Sequence, residues 1–494
     1  MTVGAGAHDA TGGEVVLRVF RFDPHADDEP RYEEYAVPYS KGLTVLDGLI
    51  HAYEHVDGSL SFRWSCKNVQ CGACGVLVDG QAALACEHQV EPDTMVQIDP
   101  YPLPIIKDLV VDLSVLEDRS ARLFSRPSGA GRPELLSPEE VSPLVSLHKC
   151  LDCHVCDLVC PVNRGTGDIG SGSLLPSDLV QIACLVFDKR EDEDRIDAAF
   201  SRRLYDCLTC GACTRECPAG IDIENEAIER LRQEFVSRDQ GAYHALFDPK
   251  DWVERWVEPK GPQFLDEAED EYRVPDATGE VGLFVGCLMN RRQQDLAWKA
   301  IELLNRAKLN VLVPKGQSCC GQPLARIGML EDARQLLRKN TALFEDTRVA
   351  TVVTACPDCS YGFQRDYSRL VGNEVPGLRF EVRDLISVMP PGVHTSSEGG
   401  KAVACHNPCY LQKQGVFLPD ELVRVGVDVG EVISDCCGAG GGVYFTRGEL
   451  ARDIGRSAIQ GHSGVVATGC PFCKEELEST ADAGTKVLHY LELL

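Results

Sequence analysis

Residues 316–325 read GQSCCGQPLA and residues 433–442 read ISDCCGAGGG. Adjacent cysteines followed by glycine are hard to place in a protein built only for packing, and each pair has one cysteine upstream and a CxxC downstream. The first set is Cys287, Cys319, Cys320, Cys356 and Cys359; the second is Cys409, Cys436, Cys437, Cys470 and Cys473. Gly321 and Gly438 permit the turn that aims two neighbouring thiols into one cavity. Tetrahedral zinc accepts four ligands, one fewer than each set offers. Two matching sets therefore point to two copies of one metal-binding module. GAGGG over 438–442 reads as structural glycine beside a metal site, since its cysteine context disfavours a nucleotide loop.

The surrounding sequence repeats as well. VGLFVGCLM, a helical QQDLAWKAIELLNRAK, NVLVP, a helical MLEDARQLLRKNTALFED and VATVVTACPDC are answered, after the break PPGVHTSSEGG, by KAVACHNPCYL, the second CCG turn and GVVATGCPFC. The endings FEVRDLISVM and TKVLHYLELL also correspond. Strand-helix alternation predicts a duplicated α/β domain, with copies over 281–390 and 400–494. Cysteines placed just after strands gather at the sheet edge where ligands bind.

Upstream lie two further kinds of cysteine motif. Over 1–118, short apolar runs such as VVLRVF and VQIDP surround one helical stretch, TVLDGLIHAYEHV, which predicts a β-grasp fold. Cys66, Cys71, Cys74 and Cys86 fall into it with the plant-type 2Fe-2S spacing, and Gly72 and Gly75 are expected to let backbone amides approach the sulfurs. Zinc knuckles favour CxxC pairs instead. Over 119–253, CLDCHVCDLVCP supplies Cys150, Cys153, Cys156 and Cys160, and CLTCGACTRECP supplies Cys207, Cys210, Cys213 and Cys217. This is the two-cluster ferredoxin run, in which the fourth cysteine ligates the other cluster. One 4Fe-4S set is then Cys150, Cys153, Cys156 and Cys217; the other is Cys207, Cys210, Cys213 and Cys160. The flanks are helical, with Ile228, Leu231 and Phe235 along one face. The whole is multidomain, α+β and α/β, with an α-helical two-cluster ferredoxin domain in the middle.

The remaining stretches read more plainly. Cys184, in VQIACLVF, is a buried hydrophobe. SRPSGAGRPELLSPEEVSP is a domain connection, and 254–280 an acidic, solvated linker.

The chain has 494 residues, 49 Lys and Arg against 76 Asp and Glu, and 24 cysteines. That length requires several cores. A formal charge of -27 argues against a nucleic-acid partner. No apolar run approaches the roughly 20 residues of a transmembrane helix, and MTVGAGAHDATGG lacks the basic and apolar regions of a signal peptide, so it reads as a flexible leader. A cytoplasmic location follows, with membrane association only through a partner. Clustered cysteines in a large unexported chain indicate metal or redox work rather than disulfides. No dinucleotide fingerprint follows a first strand, so the flavin is expected on another subunit.

The segment SFRWSCKNVQCGACGVLVDGQAALAC, with PLPIIKDLVVDLS after it, resembles the iron-sulfur subunits of succinate dehydrogenases and fumarate reductases. Cys210 departs from that family, which usually lacks a cysteine there and holds a 3Fe-4S cluster; it restores a fourth ligand. Both five-cysteine sets resemble the CCG domain of heterodisulfide reductases, which implies a noncubane 4Fe-4S cluster at each. HNPCYL resembles a segment of glycolate and lactate oxidase iron-sulfur subunits and favours Cys409 over Cys405 as ligand, leaving Cys405 and His406 either to pack or to support the ligands from behind, with packing preferred. The combination resembles the thiol:fumarate reductase family. That resemblance implies electron transfer from coenzyme M and coenzyme B type thiols, oxidised to a heterodisulfide at the CCG sites, to a FAD subunit that reduces fumarate to succinate. The 2Fe-2S domain would face the flavin, and the CCG end leaves room for a further redox partner. Two other donors stay open at this point: a quinol, or a 2-hydroxy acid as in the glycolate and lactate oxidases. No side-chain acid or base is assigned, because cofactors carry the chemistry.

Overall fold

The computed structural model describes residues 13–121, 137–166, 169, 175–188, 191, 195–201, 203–238, 262–371, 377–393 and 402–494. The expected leader over 1–12 lies outside the described residues, as do most of the connection over 125–143, the first part of the acidic stretch over 254–261, and residues 394–400 of the break between the repeats. The chain forms two compact units, Met1–Leu204 with Gly211–Leu231, and Tyr205–Cys210 with Arg232–Leu494.

In the first unit, strands β1 (Glu14–Arg21), β2 (Arg31–Pro38), β3 (Gly75–Val78), β4 (Gln81–Leu84) and β5 (Met95–Asp99) form a sheet of order β2-β1-β5-β3-β4. β1 pairs antiparallel with β2 and parallel with β5, the β-grasp arrangement. Alternation along EVVLRVFR turns Val15, Leu17 and Val19 inward, as the two-residue period of a strand requires. The Val45–His55 helix opens with a Thr44–Asp47 capping box and buries Val45, Leu46, Leu49 and Ala52. A short hairpin of β6 (Ile105–Lys107) and β7 (Val110–Val111) follows.

Arg21 occupies the next inward position of β1, a place an apolar residue would normally fill. Its guanidinium donates to Asp108 at 3.1 Å, Glu33 at 2.8 Å and Ser59 at 2.9 Å, and also to Asp57 and Tyr35. A charge this buried persists because its donors are met.

The rest of the first unit is helical. Pro176–Val186 buries Leu179, Val180 and Ile182, and packs near the short helices Pro138–Leu147 and Val155–Leu158. The helix expected over IENEAIERLRQEFVSR starts differently: Asp222 accepts from the Asn225 amide, a π-helical turn covers Ile223–Glu229, and regular α-helix runs only over Arg230–Arg238, of which the residues from Arg232 on count with the second unit. Ile228, Leu231 and Phe235 are buried as their spacing predicts.

The second unit contains two sheets, parallel except for β8. β8 (Glu271–Tyr272), β9 (Gly279–Leu283), β10 (Leu309–Leu312), β11 (Thr351–Thr354) and β12 (Glu381–Asp384) take the order β12-β11-β9-β10-β8. β13 (Val403–His406), β14 (Val429–Ile433), β15 (Gly464–Thr468) and β16 (Thr485–His489) take the order β14-β13-β15-β16. Without β8 the two orders coincide strand for strand, so the repeat seen in sequence is a repeat of topology. The linker expectation for 254–280 does not hold from residue 262 onward. Phe264 starts a helical turn and is buried, and β8 adds antiparallel to β10. A few apolar residues among acidic ones suffice for an edge strand, and so short a run shows no period.

The two halves share one core running from Val281 through Leu304 and Leu385 to Leu418 and Tyr490. They are also cross-tied: the His489 imidazole donates to the Ala355 carbonyl at 3.1 Å, Tyr490 to Asp384 at 3.2 Å, and Arg306 to the carbonyls of Val393 and Leu494.

Candidate iron-sulfur sites

The loop after Trp64 winds Cys66, Cys71 and Cys74 together with Cys86. Lys67 and Val69 sit in the left-handed region at φ 56° and 49°, a conformation costly for a β-branched residue. It aims the Asn68 and Gln70 amides at the Cys66 sulfur, each at 3.3 Å. Those bonds bring the Cys66 thiol down to about 7, whereas burial pushes the Cys74 thiol up to about 12 beside Cys86. Gly72 and Gly75 are also required by packing. A Cβ at Gly72 would strike the Leu151 carbonyl, and one at Gly75 the Tyr101 hydroxyl. The Tyr101 hydroxyl in turn donates to the Cys153 carbonyl at 3.1 Å. The glycines thus let the first loop lie against the first ferredoxin motif.

Cys150, Cys153, Cys156 and Cys217 line one recess of about 360 Å³ in the first unit. Asp152 and His154, at φ 49° and 60°, shape its wall; Asp157 accepts from His154 at 2.9 Å and from the Ser177 hydroxyl at 2.6 Å. The other ferredoxin set divides between the units, Cys160 and Cys213 in the first, Cys207 and Cys210 in the second. Cys184 is buried on the Pro176–Val186 helix.

All ten thiols of the two paired-cysteine sites follow C-terminal strand ends, because parallel strands open their carboxyl ends to one side. Their sulfurs form a continuous line. Cys287 meets Cys319, which meets Cys320; Cys320 meets Cys359, which meets Cys356; Cys356 crosses to Cys470; Cys470 meets Cys473, and Cys473 meets Cys437. Cys436 closes the line with Cys437 and Cys409, and also meets Cys210. Hydrogen bonds between neighbouring thiols push some of them down and others up. Bonds from Cys319 and Cys359 bring Cys320 down to about 7, bonds from Cys436 and Cys473 hold Cys437 well below an ordinary thiol, and the donors Cys359, Cys473 and Cys436 are pushed well up. Asp358 lies at the crossing, within 4.8 Å of both Cys356 and Cys470. A recess of about 360 Å³ opens there beside Cys287, Cys320, Asp358 and Phe472.

This donor set fits iron-sulfur ligation. All 24 cysteines are free thiols, they converge in groups, and several are already biased toward thiolate, the form that binds metal. Cys405 packs in the core between the halves, leaving Cys409 as the thiol beside Cys436. His406 does more than pack: its Nε2 donates to the Asp435 carbonyl at 3.1 Å and its Nδ1 accepts from Thr468 at 3.0 Å, bracing the turn that presents Cys436.

Sequence reading missed several residues around Tyr205–Cys210. Arg232, fully buried, donates to the carbonyls of Cys207 (2.8 Å), Arg326 (2.8 Å) and Gly441 (3.2 Å). Lys413 donates to the Thr209 carbonyl at 2.6 Å and lies 4.0 Å over the Tyr410 ring. The spacing Cys409, Tyr410, Lys413 was one available signal, since it puts a cation one helical turn from a candidate ligand thiol.

A β-grasp domain, a helical dicluster domain and duplicated thiol-edged sheets together define an iron-sulfur electron-transfer subunit of an oxidoreductase. Family models agree: a 2Fe-2S iron-sulfur cluster binding domain matches residues 16–118, a 4Fe-4S dicluster domain residues 146–221, and a cysteine-rich domain residues 281–364 and 403–478. The chain belongs to a family of subunits of fumarate reductase (CoM/CoB), whose member from Methanothermobacter marburgensis is 30% identical over 97% of this chain and 98% of its own. One of the subunits of the dihydromethanophenazine:CoB–CoM heterodisulfide reductase of Methanosarcina barkeri is 26% identical over 69% of this chain and 90% of its own. A solved structure of a hypothetical protein from Helicobacter pylori shares the fold, with TM-score 0.57 over 99% of this chain and 95% of that one at 12% identity. Among the described residues no helix is long and apolar enough to cross a membrane.

Proposed function

We propose that this subunit carries electrons from thiol oxidation at the paired-cysteine sites to a FAD-containing partner that reduces fumarate. Two substrate thiols lose two protons and two electrons to give one disulfide; fumarate takes up two electrons and two protons to give succinate. The observation that carries this reading is the unbroken sulfur line from Cys287 to Cys436, which ends on Cys210 of the ferredoxin run. The name of the relative from Methanothermobacter supplies the reactant class, CoM and CoB.

The cofactors proposed are those read from the motifs: one 2Fe-2S cluster, two 4Fe-4S clusters and a noncubane 4Fe-4S cluster at each five-thiol set. When bound, they supply one-electron steps between two-electron reactions at either end. The protein's own part is positional. Hydrogen bonds from neighbouring thiols favour the thiolate form at Cys437 and Cys320, Asp358 and Phe472 shape the recess at the crossing, and Arg292 paired with Glu475 ties one half to the other beside it.

The test uses the chain purified without oxygen together with its flavoprotein. Iron and acid-labile sulfide are counted, and fumarate reduction is assayed with coenzyme M and coenzyme B as donors. Abundant sulfide and thiol-dependent turnover are expected. Turnover with glycolate, lactate or a quinol but not with thiols would overturn the donor assignment, and zinc without sulfide would overturn the electron-carrier reading.

A further inference from the structure

The segment Tyr205–Cys210 carries the first two cysteines of the second ferredoxin run, yet it is built into the thiol-edged unit. Almost every residue in it is gripped. Asp206 pairs with Arg447 at 3.1 Å, the Cys207 carbonyl accepts from Arg232, and the Thr209 carbonyl accepts from Lys413. The Tyr205 ring stacks 4.9 Å from the Arg232 guanidinium, and its hydroxyl donates to the Ile327 carbonyl. Beneath it runs the glycine loop: a Cβ at Gly440 or Gly441 would fall on the carbonyl oxygens of Leu208 or Cys207.

Thr209 shows what the grip accomplishes. Its φ of 48° lies in the left-handed region, which a β-branched residue adopts only when its surroundings impose it. The corresponding residue of the first run is Asp152, also at φ 49°, a residue type that tolerates this region better. At Thr209, Lys413 holds the carbonyl and the Tyr410 hydroxyl lies 3.3 Å from the threonine hydroxyl. In that conformation the Thr209 amide donates to the Cys207 sulfur at 3.4 Å, and Cys210 meets Cys436.

We propose that Arg232 and Lys413 are positioning residues that hold the Cys207 and Cys210 thiols against the second paired-cysteine site and raise the reduction potential of the cluster those thiols bind. This rests on the cluster assignment above. Both residues bring a positive charge to within one peptide of a ligand thiol, and a cation close by favours the more negative, reduced state. Hydrogen bonding to the ligand sulfur acts in the same direction. Each electron arriving from the Cys436 side oxidises that site by one and reduces the Cys207–Cys210 site by one, with no bond made or broken. By raising the acceptor's potential, the two cations make that transfer more favourable.

The experiment is a redox titration followed by electron paramagnetic resonance on the complete chain with its flavoprotein, with iron and sulfide counted in each sample. The cubane signal altered by Cys210→Ala identifies the cluster. Lys413→Met is expected to lower the equilibrium constant for reducing that cluster about tenfold, which is about 59 mV for one electron, and Lys413→Arg to restore it. Arg232→Met is expected to act in the same sense; because Arg232 is wholly buried and that variant risks unfolding, half-buried Lys413 decides. A fully loaded Lys413→Met protein with unchanged potential overturns the proposal, as does an equal effect of Lys413→Met and Lys413→Arg, which would show fit rather than charge at work. Absence of sulfide in the parent protein would instead remove the cluster assignment beneath it.

Discussion

Cys210 and Cys436 are separated by more than two hundred residues of sequence, yet their sulfurs meet, and Cys436 also meets Cys409 and Cys437. One thiol thereby belongs at once to a ferredoxin motif and to the edge of a CCG site.

Replacing it should therefore be felt in both places. Cys210→Ala is expected to convert or destroy one 4Fe-4S centre and to perturb the second CCG site, while the plant-type 2Fe-2S signal stays intact. Low-temperature paramagnetic resonance with iron counting checks this; loss of the 2Fe-2S signal alone would contradict it.

The thiol line also predicts an asymmetry of function. Cys437→Ser, which removes the thiolate held lowest by its neighbours, should depress thiol-dependent fumarate reduction far more than fumarate reduction by an artificial donor entering through the 2Fe-2S domain. Steady-state rates with the two donors measure the difference, and equal loss would point to a structural role.

Gly441→Ala places a methyl group on the Cys207 carbonyl, at a φ of 62°. Overpacking of this kind costs about 1–3 kcal/mol, so the midpoint of urea unfolding should fall. Gly461→Ala, at φ 82° with open space around it, is the matched control and should cost only the left-handed backbone penalty of about 1–2 kcal/mol.

In the β-grasp domain, Arg21→Met leaves Asp108 buried without its cation, and breaking one partner of a buried pair costs about 3–5 kcal/mol. The parent should also be acid-sensitive there. Bonds from Ser59 and Arg21 hold the Asp57 carboxyl well below its ordinary 3.8, so its stabilisation is present above 3.8 and is lost as pH falls through the depressed value. Urea unfolding at several acidic pH values should show that slope in the parent and a shallower one in the variant.

Asp384 carries the opposite sign. Burial raises its carboxyl to about 8, so the folded state keeps it protonated over a range where the unfolded chain ionises it. Its stabilisation is complete below the unfolded value of 3.8 and declines as pH rises to about 8. Asp384→Asn, which mimics the neutral acid beside Tyr490, is expected to stabilise the chain more at pH 8 than at pH 5 in thermal unfolding.

Much of this was open to a reader of the sequence because the candidate ligand cysteines cluster locally. CLDCHVCDLVCP and CLTCGACTRECP announce themselves within twelve residues each, and the strand-helix alternation around each CCG pair repeats with its thiols in step. The acidic stretch before the first repeat was less readable. Phe264 and the two-residue β8 commit it to the first sheet, but so brief an element has no period to detect. Arg232 was equally hidden, since an arginine in a helix full of charges looks like any solvated side chain.

The sequence by itself determined the kinds of domain and the duplication, since cysteine spacing and strand alternation are properties of neighbouring residues. Only the tertiary structure decided which sites touch. The crossing from Cys356 to Cys470, the meeting of Cys210 with Cys436 and the grip of Arg232 on three separate carbonyls join residues that local spacing cannot relate. They arise because two sheets sharing one core bring together the thiols that follow their strands' carboxyl ends, and because glycines at 440 and 441 leave room for the backbone of Cys207 and Leu208.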